Sequence, residues 1–316
     1  MTANTLGIGN NYQSANPTYE TTGSFRPRYY LHDGDLDAVY AEGRIDLTSE
    51  LTNSDVTTKE HEVTLSDATL LTGYSNLVSQ RGDYETLFGA DAPILTLPTS
   101  KFSSSNGTIL GLGGDVRLAQ AVPLAGNGAA VFKRLILRGA VAYNHTFTRA
   151  VVPSNPELRR VRMDPTGRTV PGDQLVGAAF PEHELHLDAR ALLEITSRLG
   201  IWSEVSYRPT WKYGFGSICV ATSTGCAPVL SPENPSTYVV VTAFQAEVYY
   251  SLLQEIGISI GYVNVETQPG PDGRRRSIFN SPGAQFYVDV TAYLDAIYLA
   301  ATRRRSEPPD GAYLRP

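Results

Sequence analysis

The stretch His183-Glu-Leu-His-Leu-Asp188 places His186 and Asp188 two residues apart, with Glu184 two before the histidine. A histidine beside carboxylates has the chemistry of a general acid or base. A serine nucleophile near His145 or His186 would suggest a lipase, but no Gly-x-Ser-x-Gly turn is present. Gly-Leu-Gly-Gly-Asp at 111–115 lacks the Gly-Lys-Ser/Thr ending of a phosphate loop, so strand bends or close packing explain its glycines better. Cys219 and Cys226 are seven positions apart with no histidine nearby, which argues against a metal site. Their spacing suits a small loop disulfide formed in an oxidising compartment; two free thiols are the alternative. No cofactor or metal is expected.

The chemistry-bearing residues recur on one side of a period-two pattern. In 183–197, Leu185, Leu187, Ala189, Ala191, Leu193 and Ile195 alternate with Glu184, His186, Asp188, Arg190 and Glu194. In 199–213, Ile201, Val205, Tyr207, Trp211 and Tyr213 alternate with Glu204, Arg208 and Lys212. In 133–148, Leu135, Leu137, Val141, Tyr143 and Phe147 alternate with Arg134, Arg138 and Asn144. Asp115 and Arg117 oppose Leu112, Val116 and Leu118; Arg44 and Asp46 oppose Ile45 and Leu47; Glu247 opposes Val248 and Tyr250. Residues 285–300 set Phe286, Val288, Val290, Leu294 and Tyr298 against Asp289 and Asp295. Successive side chains of a strand point to opposite faces, so each segment reads as a strand with one apolar and one polar face. Residues 256–267 alternate in the same way. Weaker strands fall near 63–78 and 86–99, the first of which also fits an amphipathic helix. About ten strands result, within a range of 8–12.

The bulk numbers permit this reading without demanding it. The 316 residues carry a net charge of -6, which argues against a nucleic-acid partner. Mean hydropathy is -0.18, and no run approaches the roughly 20 apolar residues of a membrane helix. A membrane β-barrel keeps its average hydropathy near zero because lipid-facing and lumen-facing residues alternate. The first residues lack the charged and apolar regions of a signal peptide, so either the protein is not exported or this is a mature form with an added Met1, and the strand pattern favours the second.

Connection lengths and aromatics point the same way. The turns near 197–200 and 252–255 are tight, whereas 151–181, 215–236 and 268–284 are long and rich in Pro, Gly and charge. Membrane barrels pair short periplasmic turns with long external loops. Tyr238 and Tyr250 are twelve residues apart on one apolar face, as are Phe286 and Tyr298. At about 3.3 Å per residue and a tilt of about 40°, that span rises about 30 Å, enough to bracket an apolar band of about 25 Å. Tyr143, Phe147, Trp211, Tyr213, Tyr238, Tyr250, Phe286 and Tyr298 are therefore expected in aromatic girdles. Pro209 is expected to end the membrane part of its strand or to mark a bulge.

The segments Pro93–Lys101, Arg134–Arg149, Arg160–Asp173 and Gly270–Tyr298 resemble those of bacterial outer-membrane β-barrel proteins of porin-like type. The resemblance implies an all-β, up-and-down antiparallel transmembrane barrel in the outer membrane, made with the help of the barrel-assembly machinery. Residues 1–35 would form a periplasmic segment, 36–301 the barrel and 302–316 a periplasmic tail.

The lumen would then be lined by Arg44, Asp115, Arg117, Arg134, Arg138, Glu184, His186, Asp188, Arg190, Glu204, Arg208, Lys212, Glu247, Asp289 and Asp295. A non-enzymatic channel for small polar solutes is the expected function. The alternatives are a closed structural barrel whose loops bind surface partners, and a barrel hydrolase using His186 and Asp188. Outer-membrane lipid is the expected surroundings. Arg159, Arg160, Arg162, Arg168 and Arg274–Arg276, in the long loops, suit the phosphates of lipopolysaccharide; a solvated charged loop is the alternative.

Overall fold

The chain was studied as a computed structural model, which describes residues 2–7, 18–51, 61–82, 84–105, 107–124, 132–149, 151, 161–163, 169–171, 179–214, 219–222, 225–228, 237–253, 256–269, 273–281 and 284–292. The first strands are β1 (Thr2–Gly7), β2 (Thr18–Phe25), β3 (Arg28–Asp33), β4 (Asp37–Glu50), β5 (Val63–Leu65), β6 (Ala68–Arg81) and β7 (Tyr84–Leu97). A short helix, α1 (Lys101–Ser105), precedes β8 (Thr108–Pro123) and β9 (Arg134–Thr148). A loop hairpin of β10 (Val161–Met163) and β11 (Thr169–Pro171) leads to β12 (Pro181–Glu194) and β13 (Leu199–Lys212). A second loop hairpin, β14 (Cys219–Thr222) and β15 (Gly225–Pro228), precedes β16 (Tyr238–Ser251), β17 (Ile256–Gln268) and β18 (Gln285–Ala292).

The wall is an antiparallel meander in which sequence neighbours are ladder neighbours from β4 through to β18, apart from the two loop hairpins. Most wall strands run 13–16 residues, well beyond the usual strand of about 5–6. Tight turns join β3 to β4, β6 to β7, β12 to β13 and β16 to β17; the longer β8–β9 connection, 124–133, shares their end, and the other long connections lie at the opposite end. The segment 66–78 is strand rather than helix: Leu70 pairs with Gly43 and Leu95 on its two neighbours.

The ladders also run backwards from β4. β4 pairs with β3 near its start and with β2 near its end; β2 pairs with β1, and β1 with β18 through Leu6–Phe286 and Gly7–Gln285. With β2–β3 and β5–β6 each taken as one interrupted strand, the pairings form a circuit of twelve strands. The closing β1–β18 ladder sits at the long-connection end; from Tyr287 to Ala292, β18 pairs among the described residues with β17 alone. Two expectations change. The sheet has twelve strands rather than about ten, and residues before 36 belong to the wall. Thr-Tyr-Glu-Thr-Thr-Gly-Ser-Phe at 18–25 shows no apolar alternation. Its strand state comes from the long β4 edge, which hydrogen-bonds it.

Pro209 decides between its two expectations in part. The β13–β16 register runs unbroken through Arg208–Val241, Pro209–Val240 and Thr210–Val239, so the strand does not bulge there, and the pairing leaves open the other expectation, that it has left the membrane by this residue. On the β12 side, pairs are recorded at Leu187–Tyr207 and Glu184–Thr210 but not between them, where proline has no N–H to give. Residues 293–300 and 302–316 lie outside the described residues. No helix among the described residues is long and apolar enough to cross a membrane, which leaves strands out of account.

Side chains distinguish the two faces of the wall. Tyr40 on β4 donates its O–H to Asp91 on β7 (2.7 Å), with β6 between them. Tyr287 on β18 donates to Glu247 on β16 (2.6 Å), with β17 between. Side chains on non-adjacent strands meet in this way on a concave surface, so the polar face is the inner one. The outer face exposes Leu112, Val116, Leu118, Leu137, Val141, Val205, Val248, Ile260, Val288 and Val290, each at 37–60%.

Candidate functional site

The inner face begins with an ion-paired block on β3 to β8. Arg117 donates to Tyr40 Oη and Asp91 Oδ1, both at 2.9 Å. Arg28 donates to Glu42 at 2.7 Å, and Arg44 also bonds to Glu42. Arg117 Nη1 is 3.6 Å from Asp115, and Arg44 is 3.9 Å from the second Asp91 oxygen. Three cations thus face three carboxylates, and Tyr40, Glu42 and Asp91 are at most 5% exposed. Arg28 also stacks over the Tyr40 ring at 4.2 Å. Gly73 makes this packing possible: it lies directly across from Tyr40, and a Cβ there would overlap the ring. Gly200 and Gly261 hold Tyr249 and Tyr287 flat against the wall by the same device.

Further round the wall, Arg134 grips Glu194 with two hydrogen bonds of 2.6 and 2.9 Å. Arg190 donates to Glu204 at 2.7 Å and lies 4.4 Å over the Trp202 ring. Trp202 Nε1–H and the Tyr287 O–H both donate to Glu247, at 3.1 and 2.6 Å.

Arg138 differs from all of these. It sits directly opposite Arg190 in the β9–β12 register, and Arg190 is committed to Glu204. Like charges directly opposed across a ladder destabilise it. Among the described residues Arg138 has no ion pair or hydrogen bond. Arg208 reaches only the Ser206 hydroxyl, at 3.4 Å, and its Nε is buried without a partner. Asp188 accepts from Ser206 Oγ, while His186, opposite Ala142, bonds to neither Asp188 nor Glu184 among the described residues. The side chains of Glu184 and Lys212 likewise have no hydrogen bond or ion pair among the described residues. Asp289 is 9% exposed, with Oδ1 unsatisfied.

Sequence reasoning placed Arg44, Asp115, Arg117, Arg134, Arg138, Glu184, His186, Asp188, Arg190, Glu204, Arg208, Lys212, Glu247 and Asp289 on one face, and all share the inner face in the ladders. It missed Asp91, Tyr40, Trp202 and Tyr287. For Asp91 the cause is a register shift between Asp91 and Ile94, at Ala92-Pro93, which breaks the period of two. Tyr143, Phe147, Trp211, Tyr238, Tyr250 and Phe286 stand 40–48% exposed on the outer face. Trp211 and Tyr238 are in contact at 5.5 Å between ring centres. Tyr213 lies just past β13 and donates to the Thr146 carbonyl at 2.7 Å. Asp295 and Tyr298 lie outside the described residues, as do Arg159, Arg160 and Arg168. The side chains of Arg162, Cys219 and Cys226 also lie outside what is described; the backbone ladder sets Cys226 opposite Ala221, diagonal to Cys219.

The last long connection has a feature that no sequence pattern announced. Residues 276–281 fold back over the outer face of β17. Asn264, which is fully buried, donates to the carbonyls of Ser277 (3.1 Å) and Ile278 (2.7 Å). Gln268 exchanges bonds with the Arg276 backbone at 2.9 and 3.0 Å, and Tyr262 donates to the Phe279 carbonyl at 2.7 Å. Phe279 meets Phe244 edge-on at 5.0 Å. This strap covers polar outer-face residues that the even spacing of β17 would otherwise expose.

No protein-family profile matches the chain, and no curated protein does. Among solved structures it is similar to an outer membrane channel from Pseudomonas putida F1, at 10% identity and a TM-score of 0.48, over 92% of this chain and 91% of that one. It is also similar to the NanC porin, at 11% identity and a TM-score of 0.36, over 87% and 98% of the two chains.

Proposed function

We propose that the protein is an outer-membrane, porin-like channel that passes small polar solutes along its inner face. The observation that carries this reading is Arg138: a cation on the concave wall whose guanidinium has no hydrogen bond or ion pair among the described residues, with another arginine directly across the ladder. An unpaired charge in a dry interior costs several kcal/mol, so this face must meet water. The membrane setting rests on the outer face. Its exposed aliphatic residues form a surface far more apolar than soluble monomers ordinarily show, with aromatic residues toward both strand ends.

The remaining lumen residues serve as a charged lining that tunes selectivity. Arg274 and Arg275, exposed at the start of the strap, face the phosphates of lipopolysaccharide at the membrane surface. Assembly then depends on the barrel-insertion machinery of the outer membrane. The hydrolase reading gains nothing from the geometry, because among the described residues His186 bonds to no carboxylate that would orient it.

Single-channel recording of the refolded protein in a planar bilayer tests the proposal. Discrete current steps are expected. Stable insertion without current would make this a closed barrel whose loops carry the function. A protein that stays folded and soluble without detergent would overturn the membrane setting itself.

A further inference from the structure

Outside the lumen, the upper ends of β9 and β12 bring three donor atoms together. His145 and His183 are directly opposed in the ladder, on the outer face. Their Nδ1 atoms are 3.1 Å apart, and Tyr143 Oη lies 2.7 Å from His183 Nδ1. His183 Nδ1 therefore faces two polar atoms with one position to offer, either a lone pair or a proton. As a lone pair it can accept from Tyr143 or from His145; as N–H it can serve one of them. In either neutral tautomer that one position cannot fully satisfy both contacts: a lone pair is shared by two donors, and a proton serves only one acceptor.

The far side of the ring supplies a second observation. His183 Nε2 is 3.6 Å from Glu182 Oε1. A carboxylate there favours the proton on Nε2 and leaves Nδ1 as a lone pair. Metal-binding histidines are oriented in this way, one ring nitrogen on the ion and the other N–H turned to a carboxylate.

We propose that His145, His183 and Tyr143 form a binding site for a borderline divalent transition ion of the zinc, nickel or copper(II) class. Imidazole nitrogen selects this class over magnesium or calcium. Two metal–nitrogen bonds of about 2.0–2.1 Å meet across the Nδ1–Nδ1 gap at about 100°, between octahedral and tetrahedral values. The described residues contain no group of three or more histidine, cysteine or carboxylate side chains fit for a metal, so the site stands on two imidazoles and a phenol. Its mouth is open: the His183 side chain is 40% exposed and Tyr143 46%. The ion would clasp two strands at the root of the 149–180 connection. The inference is independent of whether the lumen conducts.

The test is titration of zinc chloride into the refolded full chain in detergent, followed by calorimetry, with copper(II) electron paramagnetic resonance as a second readout. One saturable equivalent and a two-nitrogen copper signal are expected. His145→Ala and His183→Ala should each weaken binding by about tenfold or more, and Glu182→Gln by about tenfold through lost orientation. His61→Ala, on an exposed residue elsewhere, should bind as the parent does. The absence of a saturable equivalent overturns the proposal, as does undiminished binding in both imidazole variants. Should either alanine variant fail to fold, the copper spectrum of the parent protein decides: a signal without two nitrogen donors overturns the site.

Discussion

Two stretches of one wall carry similar residues in opposite states. On β3 to β8, arginines and carboxylates lock into a block with Asp91 fully buried at its centre. On β9 to β13, Arg138 faces Arg190, and its guanidinium has no hydrogen bond or ion pair among the described residues. Charge content is no guide to this difference. Register is: one arrangement brings unlike charges together, the other brings like charges together, and under the proposed function only the second leaves a group for water and solute.

Substitutions at the two centres should part most widely in stability. Asp91→Ala removes the buried carboxylate that binds both Arg117 and Tyr40 and should cost about 3–5 kcal/mol in urea unfolding from detergent. Arg138→Gln removes a like-charge contact and should change stability by less than about 0.5 kcal/mol. Equal costs at both positions would erase the contrast.

The glycine beneath Tyr40 gives the next largest effect. Gly73→Ala overlaps the ring and should destabilise by about 1–3 kcal/mol, whereas Gly139→Ala meets nothing within 4 Å and should be neutral or better. The same unfolding assay compares them. Ion selectivity sharpens the contrast from the other side. Arg138→Glu should shift the chloride-to-potassium permeability ratio toward potassium by roughly fivefold, read as a reversal potential in a salt gradient. The paired change Arg134→Gln with Glu194→Gln, which removes a matched pair at no net charge, should shift it far less.

The smallest effect lies in the loops. Cys219 and Cys226 are proposed to be bridged, and alkylation mass spectrometry should find no reactive thiol until reductant is added. Cys226→Ser should nonetheless change wall stability by less than about 0.5 kcal/mol, since the β14–β15 hairpin pairs only with itself.

Most wall strands were legible because each alternates over most of its length, as β12 does from Glu184 to Ala191. The inner-face assignment of Arg138, His186 and Glu204 follows from that alternation alone. Three kinds of information were hidden. β2 has no pattern of its own and exists because β4 presents an edge. Asp91 follows a register shift that no spacing rule reveals. The meeting of Tyr287 with Glu247, or of His145 with His183, depends on which rung faces which, and that is settled between strands rather than within one.

The glycines under Tyr40, Tyr249 and Tyr287 have a consequence for how such a protein can change over generations. A ring laid flat occupies the wall instead of the opening. Restoring one methyl group beneath it swings the ring inward and narrows the bore without altering a single charge. Calibre and selectivity are therefore separately heritable in this chain. If the proposed channel is correct, a lineage could tighten its passage in small steps at Gly200 or Gly261 and leave the charge at Arg138 untouched.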